Sequence, residues 1–308
     1  MRHPLSIYVR SISRSVERFT GKVSRRIKHY LPATQQSSPS LSAPQTRPII
    51  EKETLALAFS TLGLKPGDSV MVHSGISNLG KVAGGPKSVF DLIQDTIGPT
   101  GNVLYPVFPF GGLMYNYLRS NPSFDVNGSL SKMGAVTEYA LKASASGYRS
   151  IHPTHSILAF GHDAADFVKD HHNCQLPFAD LSPYSHLVNV SGKILLIGVG
   201  LNSTTSFHRT EDRLDGKFPV KVYADQEFFI KCAGRDGREY QVRTLAHDPF
   251  ISRVRDCNLV KNIFLEQGIL QEVPVGNGII GIIDARGMDQ CLENLCLNGF
   301  TIYGNIWG

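Results

Sequence analysis

A chain of 308 residues with 42% apolar and 19% charged side chains has ordinary globular composition and is long enough for one large domain or two small ones. Its five cysteines, Cys174, Cys232, Cys257, Cys291 and Cys296, form no CxxC pair and no even set, which argues against a disulfide framework or thiolate zinc site and for a cytoplasmic protein. The net charge of +5 is uneven: residues 1–31 hold eight basic side chains against Glu17, which leaves 23 basic and 25 acidic in the rest, so the folded part is not a nucleic-acid-binding body.

In the basic segment Leu5, Val9, Ile12, Val16, Phe19, Val23, Ile27 and Tyr30 recur at spacings of three and four, which predicts an amphipathic helix over residues 1–31. The helix is too polar to span a membrane and lacks the apolar core and cleavage site of a secretory signal. Three roles stay open for it: packing on its own domain or on the partner subunit of a homodimer, peripheral contact with the inner face of a membrane, or a targeting presequence. Residues 32–48, PATQQSSPSLSAPQTRP, predict a linker with too few large apolar side chains to fold. The catalytic or binding domain is then residues 49–308.

From residue 49 helical and strand patterns alternate. EKETLALAFSTLGL predicts a helix ending at Gly63, and SVMVHS a short apolar strand after the PGD turn. KSVFDLIQDTIG, following Pro86, predicts a second helix that stops at Gly98. GNVLYPVF reads as a strand, SKMGAVTEYALKAS as a helix, and HSILAFG and GKILLIGVG as strands. Two alternating runs around Asp236-Gly237 give a hairpin signal, and GIIGIID followed by ARGMDQCLENLCLNG closes the chain with a strand and a helix. The expectation is an α/β fold whose central, mostly parallel sheet is covered by helices on both faces, with a late antiparallel insertion.

In such a sheet, ligands gather at loops beyond strand C-termini. After SGKILLI the chain reads GVGLNSTTSFHRTED, where Asn202, Ser203, Thr204, Thr205 and Ser206 offer hydroxyls and free N–H groups for a developing oxyanion. His208 and Glu211 then stand three apart on a helix, so the carboxylate can hold one imidazole nitrogen and leave the other as a base. Gly84 and Gly85 precede a helix start that offers N–H groups to an anion. GVGLNS lacks the third glycine position and the distant acidic residue of a dinucleotide fingerprint. His152, His155, His171, His172, His208 and Glu211 carry no HExxH spacing, so no metal is expected. No serine sits in GxSxG.

VMVHSGISNLGKVAGGPKSVFDLI, FDVNGSLSKMGAVTE, RSIHPTHSILAFG, the long segment ending in GVGLNSTTSFHRTED, and VGNGIIGIIDARGMDQ occur in this order between residues 49 and about 300. Together they resemble the aminoglycoside 3-N-acetyltransferases, antibiotic-resistance enzymes whose fold is unrelated to the superfamily with a Q/RxxGxG/A coenzyme A loop. The resemblance implies direct acetyl transfer from acetyl-CoA to an amine, with His208 as general base, Glu211 orienting it and Thr205 near the thioester. It places His73, Ser74 and Gly75 with Gly84 and Gly85 along the coenzyme, and Ser131, Lys132, Met133 and Gly134 as its second wall. His152 and His155 are implied as support.

The family commonly has Asp where Asn202 stands, a second serine at Gly75, and small or apolar residues at Arg209-Thr210. Arg209 is therefore expected to add a cation beside the acceptor cleft, among Glu211, Asp212, Asp215, Arg213, Lys217 and Lys221. That charge pattern leaves two acceptors open, an aminoglycoside and a nucleotide- or lipid-linked amino sugar of surface-polysaccharide synthesis. A metal-dependent hydrolase and a non-catalytic coenzyme-A-binding homologue are the remaining alternatives.

Overall fold

The computed structural model describes residues 47–305. The expected tail helix and the linker as far as residue 46 lie outside the described residues. Among the described residues the two larger sheets hold ten strands, β1 (Ser69–Ser74), β2 (Asn102–Pro106), β3 (Phe124–Asp125), β4 (Tyr148–Arg149), β5 (Ile157–Gly161), β6 (Lys193–Ile197), β7 (Tyr223–Ala233), β8 (Glu239–His247), β9 (Leu270–Val275) and β10 (Gly278–Asp284), and two further two-stranded pairs are short.

The central sheet has the order β9-β10-β6-β1-β2-β5-β4. It is mixed, not mostly parallel as expected. β1 is parallel to β6 and β2, whereas β9–β10, β10–β6, β2–β5 and β5–β4 are antiparallel. The parallel β1–β2 pair is bridged by the helix Gly85–Ile97, the long crossover that parallel neighbours require. β9 and β10 are joined at Gly276-Asn277, with Gly276 at φ 57°, a connection too short for anything but an antiparallel pair. β9 itself, QEVPV, was not legible as a strand because of Pro274, which is tolerated at the sheet edge where β9 lies.

Alternation along the strands fills both faces. Val70, Val72, Leu195 and Ile197 pack beneath the helices Lys52–Thr61, Gly85–Ile97 and Ala135–Lys142. Met71, Ile194 and Leu196 face the opposite way, against Leu187, Phe207, Met288 and Leu292 from the helices Pro183–Asn189 and Ala285–Leu297 and the turn before His208. The late insertion is the expected hairpin: β7 and β8 turn at Asp236-Gly237, with Gly237 at φ 79°, and β3 adds a third strand. No helix among the described residues is long and apolar enough to cross a membrane.

Candidate active site

The register places Ser74 opposite Ile197, so the ends of two parallel strands, β1 and β6, deliver their loops side by side. Gly75 N donates to Ile197 O at 2.8 Å. A Cβ on Gly198, which sits at φ 67°, would lie 2.6 Å from Gly75 O, and one on Gly75 would lie 2.9 Å from Val199 Cγ1. A side chain at position 75 would thus force Val199 to shift. Beyond these loops opens a cleft of about 260 Å³, lined in part by His73, Ser74, Lys132, Met133, Ser203 and Thr205. His73 Nε2 and Thr205 Oγ1 are buried with no hydrogen-bond partner. Ser131 shapes the wall from behind, its Oγ accepting from Met133 N at 3.2 Å, and Gly134 at φ 99° lets the backbone approach Ser74 O. Gly84 and Gly85 begin the helix Gly85–Ile97 but do not line the cleft.

At the other end of the hydroxyl-rich turn, the helix His208–Leu214 presents His208 and Glu211 on one face, both buried. Arg255 Nη1 donates to His208 Nε2 at 2.5 Å, so Nε2 is the bare nitrogen and Nδ1–H donates to Glu211 Oε2 at 2.7 Å. Glu211 is the hub. His247 Nε2 reaches the same oxygen at 3.3 Å and the Tyr303 hydroxyl donates to Oε1 at 2.8 Å. Burial opposes its ionisation, yet the imidazoles of His208 and His247 hold its carboxyl well below the usual range. Burial drives the His208 pKa down to about 4, with His247 and Arg255 adding to the effect and Glu211 opposing it. The resting pair is a neutral imidazole on a carboxylate.

The family model of the aminoglycoside 3-N-acetyltransferases matches residues 71–296. The chain belongs to this family. It is an acyltransferase, as the family is. Aminoglycoside N(3)-acetyltransferase III of Salmonella sp is 28% identical over 257 residues, which is 76% of this chain and 87% of that protein. The Serratia marcescens enzyme of the same name is 31% identical over 218 residues, 67% and 78% of the two chains. Among solved structures, AAC-IIIb in its binary complex with CoASH has a TM-score of 0.66 at 23% identity, covering 82% of this chain and 98% of that one. AAC-VIa bound to sisomicin has a TM-score of 0.60 at 25% identity, covering 78% and 94%.

Against this acetyltransferase frame, two expected acceptor contacts are differently placed. Arg209 does not face the acceptor side: its guanidinium is buried, paired with Asp289 and donating from Nε to Ser185 Oγ at 3.2 Å. Thr210 Oγ1 donates to the other oxygen of Asp289 at 2.9 Å, so one carboxylate accounts for both of this chain's departures at 209 and 210. Arg213 pairs with Glu293 on the same helix as Asp289. Asp212 is buried too, accepting from Phe178 N at 2.7 Å and Tyr223 Oη at 2.5 Å, and burial pushes its carboxyl well above the usual range. The helix therefore presents the dyad on one face and is bolted to the body of the protein by the rest.

His152 and His155 are buried and belong to a stack of rings. His152 lies on His171 at 4.4 Å, and His155 packs on Phe178, whose ring is 5.1 Å from His208. His155 is linked to His208 through Phe178, and His152 only through His155. His247, Tyr303 and Arg255 complete the site, and none was expected from the sequence.

Burial lowers the pKa of His73, His171 and His208 to about 4, and those of His152 and His155 well below the usual 6.5. An unfolded chain binds protons below pH 6.5 that these buried rings refuse, so stability is full above 6.5 and declines as pH falls from 6.5 toward 4. Thermal unfolding followed from pH 8 to 5 is expected to show a Tm that drops below pH 6.5. A Tm that rises or holds steady over that range would contradict the buried neutral histidines.

Proposed function

We propose that this acetyltransferase passes the acetyl group of acetyl-CoA directly to an amino group of an aminoglycoside, with His208 as the base. The observation that carries the reading is the position of Glu211. It orients His208, and it lines a second cleft of about 390 Å³ whose other charged lining is Asp215, Asp225, Glu227 and Lys221. Among the described residues Lys221 pairs with Asp225 and Arg243 with Glu227, so the negative charge that suits a cationic acceptor comes from Asp215 and Glu211. The competing acceptor, an anionic amino sugar, rested on Arg209, Arg213, Lys217 and Lys221, of which Arg209 pairs with Asp289, Arg213 with Glu293 and Lys221 with Asp225. AAC-VIa, related in fold, binds sisomicin, and AAC-IIIb binds CoASH.

In this reading the thioester end of acetyl-CoA lies in the first cleft, where His73 and Thr205 each have a buried polar atom without a partner. The acceptor amine gives its proton to His208 Nε2 as it attacks. Glu211, already ionised, stabilises the imidazolium that forms, and Tyr303 and His247 keep its carboxylate in place. Thr205 and the amides of the turn donate to the oxygen that gains charge.

His208, Glu211 and His247 also have the make-up of a His₂Glu zinc set, with atoms within 4.8 Å of one another. The surroundings favour acyl transfer. A metal-bound imidazole needs an acceptor on its other nitrogen, whereas His208 Nε2 faces the donor Arg255. Both Glu211 oxygens are already occupied by donors. Thiol release from acetyl-CoA is expected to require an aminoglycoside and to be unaffected by 1,10-phenanthroline. Chelator-sensitive activity restored by zinc would replace this reading with the metal hydrolase. Stabilisation by coenzyme A, about 2.7 kcal/mol at 100 times its Kd, without any turnover would replace it with a binding homologue.

A further inference from the structure

We propose that Arg255 is a stopper on the catalytic base: in the free enzyme its guanidinium occupies His208 Nε2, blocks activation of water there, and is displaced only when the acceptor amine arrives. This rests on the acyl-transfer reading of the site.

Among the described residues the Arg255 guanidinium makes one hydrogen bond, to His208 Nε2 at 2.5 Å, and no ion pair with a carboxylate. That contact falls on the one atom the proposed reaction needs free. A partly buried arginine held by a single neutral acceptor is weakly retained, unlike Arg209, which is buried on Asp289. The backbone that follows it is anchored: Asp256 N donates to Ile302 O at 2.8 Å. Cys257 N donates to Asn202 Oδ1 at 2.7 Å, and Asn202 Nδ2 reaches Asp256 Oδ1 at 3.4 Å. This accounts for asparagine at 202, where the family has aspartate: a carboxylate there would face the one on Asp256. The turn that carries Thr205 is thus tied to the segment that carries Arg255, and the side chain is left to swing.

An acetyltransferase with an ionised Glu211 behind a neutral imidazole is also a potential hydrolase. Water attacking the thioester carbon would give its proton to His208 Nε2, the C–S bond would break, the leaving thiolate would take a proton, and acetate would form. With a guanidinium on Nε2, no water molecule can donate there. An acceptor whose amine competes for Nε2 and whose other ammonium groups meet the carboxylates of the second cleft has the means to expel Arg255; water does not. Arg255 acts through His208 and is in that sense a positioning residue.

The test uses the full chain and two readouts. Acetyl-CoA thiol release without acceptor is measured for the native protein, Arg255→Gln, Arg255→Lys and the double variant Arg255→Gln/His208→Ala. The glutamine variant is expected to leak about tenfold faster, a part of the 10²–10⁴ that a general base supplies, with lysine restoring much of the block and the double variant abolishing the leak. The second readout needs no substrate: the His208 ring is titrated by NMR in the free protein. The groups around that ring are Glu211, His247, Tyr303, His155 across Phe178, and Arg255. Only the last changes, so losing its positive charge should move the His208 midpoint upward. No added hydrolysis together with an unmoved midpoint would overturn the proposal, as would a leak that survives loss of His208. Failure of the native protein to acetylate any aminoglycoside would instead defeat the functional reading, and the NMR result stands apart from it.

Discussion

Replacing His208 with alanine is expected to lower kcat with an aminoglycoside by roughly 10²–10⁴ while coenzyme A affinity changes little. The amine must give up a proton as its nitrogen bonds to the thioester carbon, and among the described residues His208 Nε2 is the nitrogen that Glu211 backs for this purpose. His73 and Thr205, on the coenzyme side, are untouched by the change. Glu211→Gln should cost less, because an amide still accepts from Nδ1 but no longer offsets the imidazolium charge. Steady-state rates with coenzyme A binding measured in parallel check both. A fall in coenzyme affinity with kcat preserved would place His208 in binding and not in proton transfer.

Removing Asp289 is expected to be the most damaging change outside the site. Arg209 and Asp289 are both about 8% exposed, and Asp289→Ala would leave the guanidinium buried with only Ser185 to accept from it. Breaking a buried pair from one side costs about 3–5 kcal/mol, which for a domain of this size is on the order of 10 °C in Tm. Replacing both partners with apolar residues of similar volume, Arg209→Met with Asp289→Leu, should recover most of that loss. Thermal or urea unfolding measures it. A stable Asp289→Ala protein with an altered acceptor KM would mean that Arg209 faces the substrate after all.

The Arg209 outcome shows where the sequence was legible and where it was not. The sequence located β1, β2, β5, β6 and β10, because their central residues are buried on both faces and read as unbroken apolar runs. The i, i+3 spacing of His208 and Glu211 identified the dyad, since a helix brings such residues together whatever surrounds it. Partners distant in sequence were not readable. Asp289 lies 80 residues from Arg209, so a charge that looked free beside the cleft is in fact neutralised in the core. His247 was hidden by a register shift between Leu245 and His247, an irregularity that breaks period-two alternation and turns the ring toward Glu211. Tyr303 reaches Glu211 across 92 positions, and nothing in TIYG marks it for that role. Strand direction failed for a related reason: an apolar run reads the same whether its neighbour is parallel or antiparallel.

Acetyl transfer to an aminoglycoside would take place in the cleft beside Glu211. Its most direct test is one set of thiol-release assays with saturating acetyl-CoA, comparing kcat/KM for sisomicin with that for a nucleotide-linked amino sugar, each product checked by mass for a single added acetyl group. The expected result is a singly acetylated aminoglycoside and a kcat/KM ratio strongly in its favour, weakening as salt screens the carboxylates. Turnover of the nucleotide-linked sugar with none of the aminoglycoside would contradict it.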